Sequence, residues 1–210
     1  MTGADTTTSS GTDPIGVYRS SAAGSPWRPT AGGFAGARSA GPDVTLTVTP
    51  SGRVVAVEQD SAALSFVVEH SDDGGATWTP SSGLQELVDQ DRPWIASGPG
   101  RKVYLLFHNG FSSNATHNMY LETSTDDGTT FGPPVPLTTP GTAAWLDLQC
   151  VGSGGPSALL VNQQTGRLYA TWGTRHAVAG SCGALPAAPF TLVPADRVWV
   201  ATSPAGTVGS

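Results

Sequence analysis

Ser71-Asp72-Asp73-Gly74-Gly75-Ala76-Thr77-Trp78 and Ser124-Thr125-Asp126-Asp127-Gly128-Thr129-Thr130-Phe131 share the pattern Ser-x-Asp-x-Gly-x-Thr-aromatic, 53 residues apart. Each follows an apolar stretch, Leu64 to Glu69 in the first case and Met119 to Thr123 in the second. The residue types suit a tight turn. An Asp side chain accepts hydrogen bonds from backbone amides a few residues on, which assigns that role to Asp73 and Asp126, with Asp72 and Asp127 as acidic neighbours. Gly75 and Gly128 permit a positive φ that a side chain would resist. Thr77 and Thr130 can close the turn a second time, and Trp78 and Phe131 can bury a ring that pins the hairpin.

Outward from these turns the chain repeats. DRPWIASGPGRKV (91–103) and DRVWVATSPAGTV (196–208) share Asp, Arg, Trp, Ala, Pro and Val without a gap, at an offset of 105, close to two units of 53. GRVVAV from Gly52, RKVYLLF from Arg101 and GRLYATW from Gly166 take the same place in successive units. Val44, Leu46 and Val48 alternate with threonines, the period of a half-buried strand. No segment carries a helical stripe; 82–90 fits a turn of helix or a short strand equally. Units of about 50 residues built from short strands predict an all-β propeller of four-stranded blades. The blades fall at about 43–88, 91–140 and 144–194, with the first strand of a fourth from Asp196. A closed ring needs about four to eight blades, so an incomplete propeller is expected, a fragment or one that closes with a partner copy. Its open blade edge is a surface for self-association. Residues 1–40, rich in Gly, Ser, Thr and Pro, read as a flexible leader; a strand around Ile15 to Tyr18 docking on the domain is the other reading.

The two octapeptides resemble the Asp-box, or bacterial neuraminidase repeat, of sialidases and related propellers. The resemblance covers about 43–208. It implies that Ser71, Asp73, Gly75, Thr77, Trp78, Ser124, Asp126, Gly128, Thr130 and Phe131 are structural, on the face opposite the active site. It places ligands on the loops His108 to Asn118, Thr138 to Leu148, Gly173 to Ala184 and Asp89 to Arg92. The candidate ligand-binding residues on that face are Asp91, Arg92, His108, Asp147, Arg175 and Arg197. Sialidases hold the sugar carboxylate with three arginines and use a Tyr–Glu pair and an Asp, and guanidinium suits that carboxylate. The Arg-Ile-Pro signature of the family is absent, and no Tyr–Glu pair lies on these loops. Arg92 and Arg197 hold matching repeat positions, which favours a structural Asp-Arg pair opening each inner strand. Catalytic residues are therefore not assigned.

Composition narrows the partners. The net charge of −6 and the ten Lys+Arg exclude a nucleic-acid footprint and a basic membrane-surface helix, and no run of 18 apolar residues can span a membrane. The four histidines lack metal spacing and no phosphate loop exists, so neither metal nor cofactor is expected. Cys150 and Cys182 flank the apolar hairpin Ala158 to Trp172, which suits a disulfide, with two buried thiols as the alternative. A disulfide implies an oxidising compartment. The N-terminus lacks a secretory signal, so the expected location is extracellular with the signal missing, or else cytoplasmic. Two functions follow: a sialidase-like protein directed at extracellular glycans and not competent alone, or a non-catalytic propeller that binds glycan or protein.

Overall fold

The computed structural model describes residues 17–30, 40–60, 63–110, 116–150, 155–175 and 196–204. The strands are β1 (Tyr18–Arg19), β2 (Arg28–Pro29), β3 (Ala40–Val48), β4 (Val54–Asp60), β5 (Ser65–Ser71), β6 (Thr79–Pro80), β7 (Gln90–Ser97), β8 (Val103–Asn109), β9 (Asn118–Ser124), β10 (Val135–Pro136), β11 (Pro156–Val161), β12 (Leu168–Thr174) and β13 (Arg197–Thr202). One short helix, α1 (Ala143–Leu148), follows β10. Strands β3-β4-β5-β6 form sheet 1, β7-β8-β9-β10 sheet 2 and β11-β12-β13 sheet 3, all antiparallel. Tyr18–Arg19 pairs with Arg28–Pro29 in a small separate ladder, within a stretch whose composition alone gives little reason for order.

The second strand of each sheet carries the fold. Every residue of β8 is buried, and all of β4 after Val54. Side chains alternate across a strand, so such a strand needs apolar cover on both sides. Val55, Val57 and Val68 of sheet 1 meet Ile95, Val103, Leu105 and Phe107 of sheet 2 in one core. On the other face of sheet 2, Tyr104, Leu106, Met119 and Leu121 meet Leu159, Leu168, Ala170 and Trp172 of sheet 3. The first strands β3, β7 and β11 pack side by side in turn. This is the stacking of consecutive propeller blades about an axis lined by first strands.

The octapeptides turn as their residue types require. Asp73 Oδ1 accepts from the amides of Ala76 and Thr77, both at 2.9 Å, and Oδ2 from the Thr77 hydroxyl at 2.7 Å. Asp126 takes the same bonds from the Thr130 amide at 2.8 Å and hydroxyl at 2.7 Å. Ser71 and Ser124 donate to these carboxylates and accept from the amides of Gly75 and Gly128. Those glycines have φ of +88° and +80°. Phe131 lies in the core between sheets 1 and 2, and its amide donates to Ser82 O at 2.8 Å, stitching the two sheets together.

Two sequence expectations change. Arg197–Thr202 does not open a further blade. It pairs with β12 from Tyr169↔Thr202 to Thr174↔Arg197, as the third strand of sheet 3. The reason is the free edge of β12, which β13 satisfies while Trp199 and Ala201 turn inward onto the sheet 2–sheet 3 core. Ser203 donates its amide to Leu168 O, the place that Ser71 takes opposite Val54 and Ser124 opposite Val103. Residues 82–90 form neither the helical turn nor the separate strand; Leu84 and Leu87 pack on the sheet 1–sheet 2 core, and Gln90 begins β7.

One carboxyl sits badly in this frame. Glu122 is fully buried between sheets 1 and 2, with Oε1 accepting from the Gln85 amide at 3.3 Å. Burial, slightly offset by that bond, pushes its pKa up to about 7. Glu58, buried on the other face of sheet 1, is pushed to about 7 by burial and by Glu69 and Asp60. A raised carboxyl pKa means the folded state holds the proton more tightly than the unfolded chain. Stability therefore falls as pH rises from 4.5 to about 7, by about 2–3 kcal/mol for each group. Urea titrations should show a lower unfolding free energy at pH 8 than at pH 5, and a smaller difference in Glu122→Gln; equal slopes in the two proteins would refute the assignment. Asp126→Ala strands the Thr130 amide and should cost about 1–3 kcal/mol in the same assay.

Candidate functional site

The three second strands run the same way through their sheets. Their N-terminal ends lie opposite the Ser residues of the turns, as Val54↔Ser71 and Val103↔Ser124 show. Their C-terminal ends carry Gln59-Asp60, His108-Asn109 and Gly173-Thr174 on the opposite rim. Asp91 at the start of β7 and Arg197 at the start of β13 pair with these ends, and Arg92 follows Asp91. Arg175 directly follows β12.

Asp91, Arg92 and His108 come together. Asp91 is buried; its Oδ1 accepts from Gln59 Nε2 at 2.7 Å, and its Oδ2 faces His108 Nε2 at 3.1 Å and Arg92 Nε at 3.5 Å. Burial pushes the Asp91 carboxyl up, but the bonds from His108 and Gln59 and the charges of His108 and Arg92 outweigh it and hold it below the usual range. The ladder of β7 with β8 is interrupted between Asp91 and Trp94, and Arg92 has φ of +52°. Such an irregularity re-aims a side chain, and here Arg92 leaves the ladder half exposed while Asp91 stays inside. Gly155 closes the cluster from the next sheet. A Cβ there would lie 2.5 Å from Arg92 Cδ and 2.9 Å from His108 Nε2, so only glycine fits without movement.

Arg92 also lines a cavity of about 500 Å³, whose other walls are Asp43, Val44 and Thr45 on β3, Pro93 and Trp94 on β7 and Pro156 on β11. All three first strands contribute, so the cavity lies against the axis of the stack. Trp94 is held there by an indole bond to Pro156 O at 3.1 Å. A carboxylate, a guanidinium and an indole thus share one opening.

Asp147 forms a second cluster with Arg197. Helix α1, capped by the Thr142 hydroxyl on the Trp145 amide, carries Asp147 into a buried position beside sheet 3. Its Oδ2 accepts from Arg197 Nη1 at 3.3 Å and from Trp199 Nε1 at 3.2 Å. Trp199 Nε1 also reaches Thr174 Oγ1 at 3.0 Å, and the Arg197 guanidinium lies 5.8 Å from the Trp199 ring centre. The equivalence of Arg92 and Arg197 does not hold: the first opens a first strand, the second a third strand, and each meets its own carboxylate.

Sequence reading missed Gln59, Gly155, Trp94, Thr174 and Trp199. Three of these left a signal: Gln59 holds in β4 the place of His108 in β8, and Trp94 and Trp199 are the shared Trp of the two Asp-Arg-x-Trp stretches. Among the described residues no three His, Cys, Asp or Glu side chains group as a metal site, and no described helix is long and apolar enough to cross a membrane. Cys150, just after α1, is buried and disulfide-bonded. Cys182, His176 and Asn114 lie outside the described residues. For a bridge from Cys150 to Cys182, native protein should resist alkylation until reduced. Reduction should then destabilise by about 3.5–4 kcal/mol. Two thiols freely alkylated before reduction would exclude the bridge.

No protein-family model matches the chain, and no curated protein matches it in sequence. Solved structures do. A Dyadobacter fermentans protein of unknown function superposes with a TM-score of 0.54 at 20% identity, over 77% of this chain and 44% of its own. The GH93 α-L-arabinofuranosidase of Fusarium graminearum, solved with arabinobiose, superposes with a TM-score of 0.52 at 17% identity, over 89% of this chain and 52% of its own. A Hadza microbial sialidase gives a weaker superposition, with a TM-score of 0.43 at 16% identity, over 63% of this chain and 32% of its own. The chain spans about half the length of the first of these structures or less. These likenesses show the fold: the chain has a β-propeller fold, shared with the GH93 α-L-arabinofuranosidase.

Proposed function

We propose that this chain is a glycan-directed propeller unit that seats its ligand in the axial cavity and, as a lone chain, binds without hydrolysing. The observation that carries the reading is the composition of that cavity: Asp43, Arg92 and Trp94 line one opening of about 500 Å³. A sugar presents hydroxyls at its edge and C–H groups on its face. Carboxylate and guanidinium bond the first, and an indole plane covers the second. Arg92 is aimed by its positive φ and held by Asp91, so its orientation is set before a ligand arrives. The solved arabinofuranosidase with the same fold, bound to arabinobiose, supports a saccharide over a peptide.

Hydrolysis needs an acid and a nucleophile or base flanking the glycosidic bond. Two buried acids are already engaged: Asp91 with Gln59, His108 and Arg92, and Asp147, away from the cavity lining, with Arg197 and Trp199. Tyr104 is enclosed between sheets 2 and 3, and Tyr120 stacks on Phe107. The Asp-box turns lie on the far rim and serve stability. An extracellular location accords with the disulfide at Cys150.

Titration calorimetry with sialyllactose and with arabino-oligosaccharides tests the site. Arg92→Ala and Trp94→Ala should each weaken binding about tenfold or more, about 1.4 kcal/mol, while Asp126→Ala leaves the affinity unchanged. Binding indifferent to Arg92 and Trp94 would move the site elsewhere. Turnover of a fluorogenic sialoside by the chain, abolished by Arg175→Ala and untouched by Asp126→Ala, would make it an enzyme.

A further inference from the structure

Val54, Val103 and Leu168 on the second strands stand opposite Ser71, Ser124 and Ser203 on the third, so the three sheets align residue by residue. The two junctions between sheets can therefore be compared place by place. Between sheets 1 and 2 the outer part, near the octapeptide turns, is full. The second octapeptide carries Phe131 back into the junction, where it is 5% exposed, and Leu84 and Leu87 of the connecting segment pack on the same core. The wall that sheet 2 presents there includes Leu105 and Glu122, both buried.

Between sheets 2 and 3 the same level holds a cavity of about 780 Å³. Three features open it. Ala170 takes the place of Leu105 and Ala201 that of Glu122, and both line the cavity. The chain after β10 goes on to α1, whose Asp147 lies at Arg197, toward the rim opposite the turns. Ser203 to Ser210, in register with the two octapeptides, has Ala205 where they have Asp73 and Asp126, and Ser210 where they have Trp78 and Phe131. That stretch of sequence offers no counterpart of the Phe131 ring. The floor of the cavity is Leu121 of sheet 2 with Leu159, Leu168, Ala170 and Ala201 of sheet 3. No charged side chain is among its described lining residues, so an ionised ligand would lose its hydration there without compensation. Thr123, Thr125 and Thr202 also line it, and among the described residues their hydroxyls make no hydrogen bond.

We propose that this cavity is a second ligand site, separate from the axial one, and that it takes an uncharged aromatic ring bearing a hydroxyl, a phenol in chemical class. The ring is the shape that the fold itself places at this level of the preceding junction, where Phe131 lies. Here it packs on leucines from both sheets, and its hydroxyl meets the free hydroxyls of the threonines, which both donate and accept. The absence of charge from the described walls selects a neutral ligand over a carboxylate or an amine. The volume lies within the range of about 300–1,000 Å³ that small-molecule pockets occupy. The site opens beside Thr125, Thr130 and Pro133 on the rim of the turns, and it shares no lining residue with the cavity of Arg92 and Trp94. This inference does not rest on the saccharide reading.

Fluorescence titration of the whole chain with 2-naphthol, a two-ring member of that class, tests the site at pH 6, where the ligand is neutral. Saturable one-to-one binding is expected. Ala170→Leu and Ala201→Leu fill the cavity and should each weaken binding about tenfold or more, with circular dichroism showing an intact fold. Arg92→Ala should leave the affinity unchanged. The double variant Thr123→Val, Thr202→Val should weaken 2-naphthol about threefold or more and leave naphthalene unchanged. A tenfold loss in either leucine variant, with Arg92→Ala unaffected, supports the site. No saturable binding by the wild-type chain overturns it. So does binding that neither leucine variant weakens, or that Arg92→Ala abolishes. Tighter binding in Val208→Ala would give the cavity to residues 205–210 of the chain itself, and overturns the proposal as well. If the leucine variants do not fold, the valine pair decides: an unchanged ratio of 2-naphthol to naphthalene affinity refutes it.

Discussion

Everything in this chain follows from strands that are apolar on both faces. A strand such as Val103–Asn109, buried along its whole length, cannot sit on a surface or in a sandwich with one wet side. It needs a sheet in front and a sheet behind, and each of those sheets needs the same. Stacking around an axis satisfies this demand, because every blade is then both host and guest. The short outer strands β6 and β10 and the tight turns let four strands fit within one unit of about 50 residues.

The stack sorts chemistry by rim. On one rim the Ser-x-Asp-x-Gly turns use their carboxylates to hold backbone amides. Burial pushes Asp126 up, but the bonds from Thr130 and Ser124 outweigh it and hold its carboxyl below the usual range. Those acids are spent on the fold. On the other rim the second strands end in Gln59-Asp60, His108-Asn109 and Gly173-Thr174, and Asp91, Arg92 and Arg197 lie near the start of a first and a third strand. Polar residues gather there because each strand leaves its core at that level. The axial cavity then receives only the side chains that the first strands can present.

The same demand for cover explains the tension in the core. Glu122 occupies an inward position between two sheets, where its neighbours on β8 are Leu105 and Phe107. Glu58 takes in β4 the place that Phe107 and Trp172 hold in β8 and β12, and among the described residues neither of its oxygens has a hydrogen-bond partner. Protonated, these groups fit; ionised, they oppose the packing. The pH response of these two groups is thus built into the buried faces of the sheets.

The sequence by itself determined what depends on neighbours along the chain. Two octapeptides with one pattern make one turn, because Asp73 and Asp126 bond amides only three and four residues on. The three GR- or RK-led strands share a place because their apolar alternation is local. Tertiary structure decided what depends on pairing across distance. DRVWVAT matches DRPWIAS in residue type, yet one is a third strand and the other a first, since either edge of a sheet accepts the same alternation. Only the free edge of β12 settles which one Arg197–Thr202 joins. The site shows the same division. Asp91 and His108 were both legible as polar residues on candidate loops, but Gln59, 32 residues before Asp91, and Gly155, in the next sheet, reach them through blade stacking. No spacing along one strand encodes a contact made between sheets.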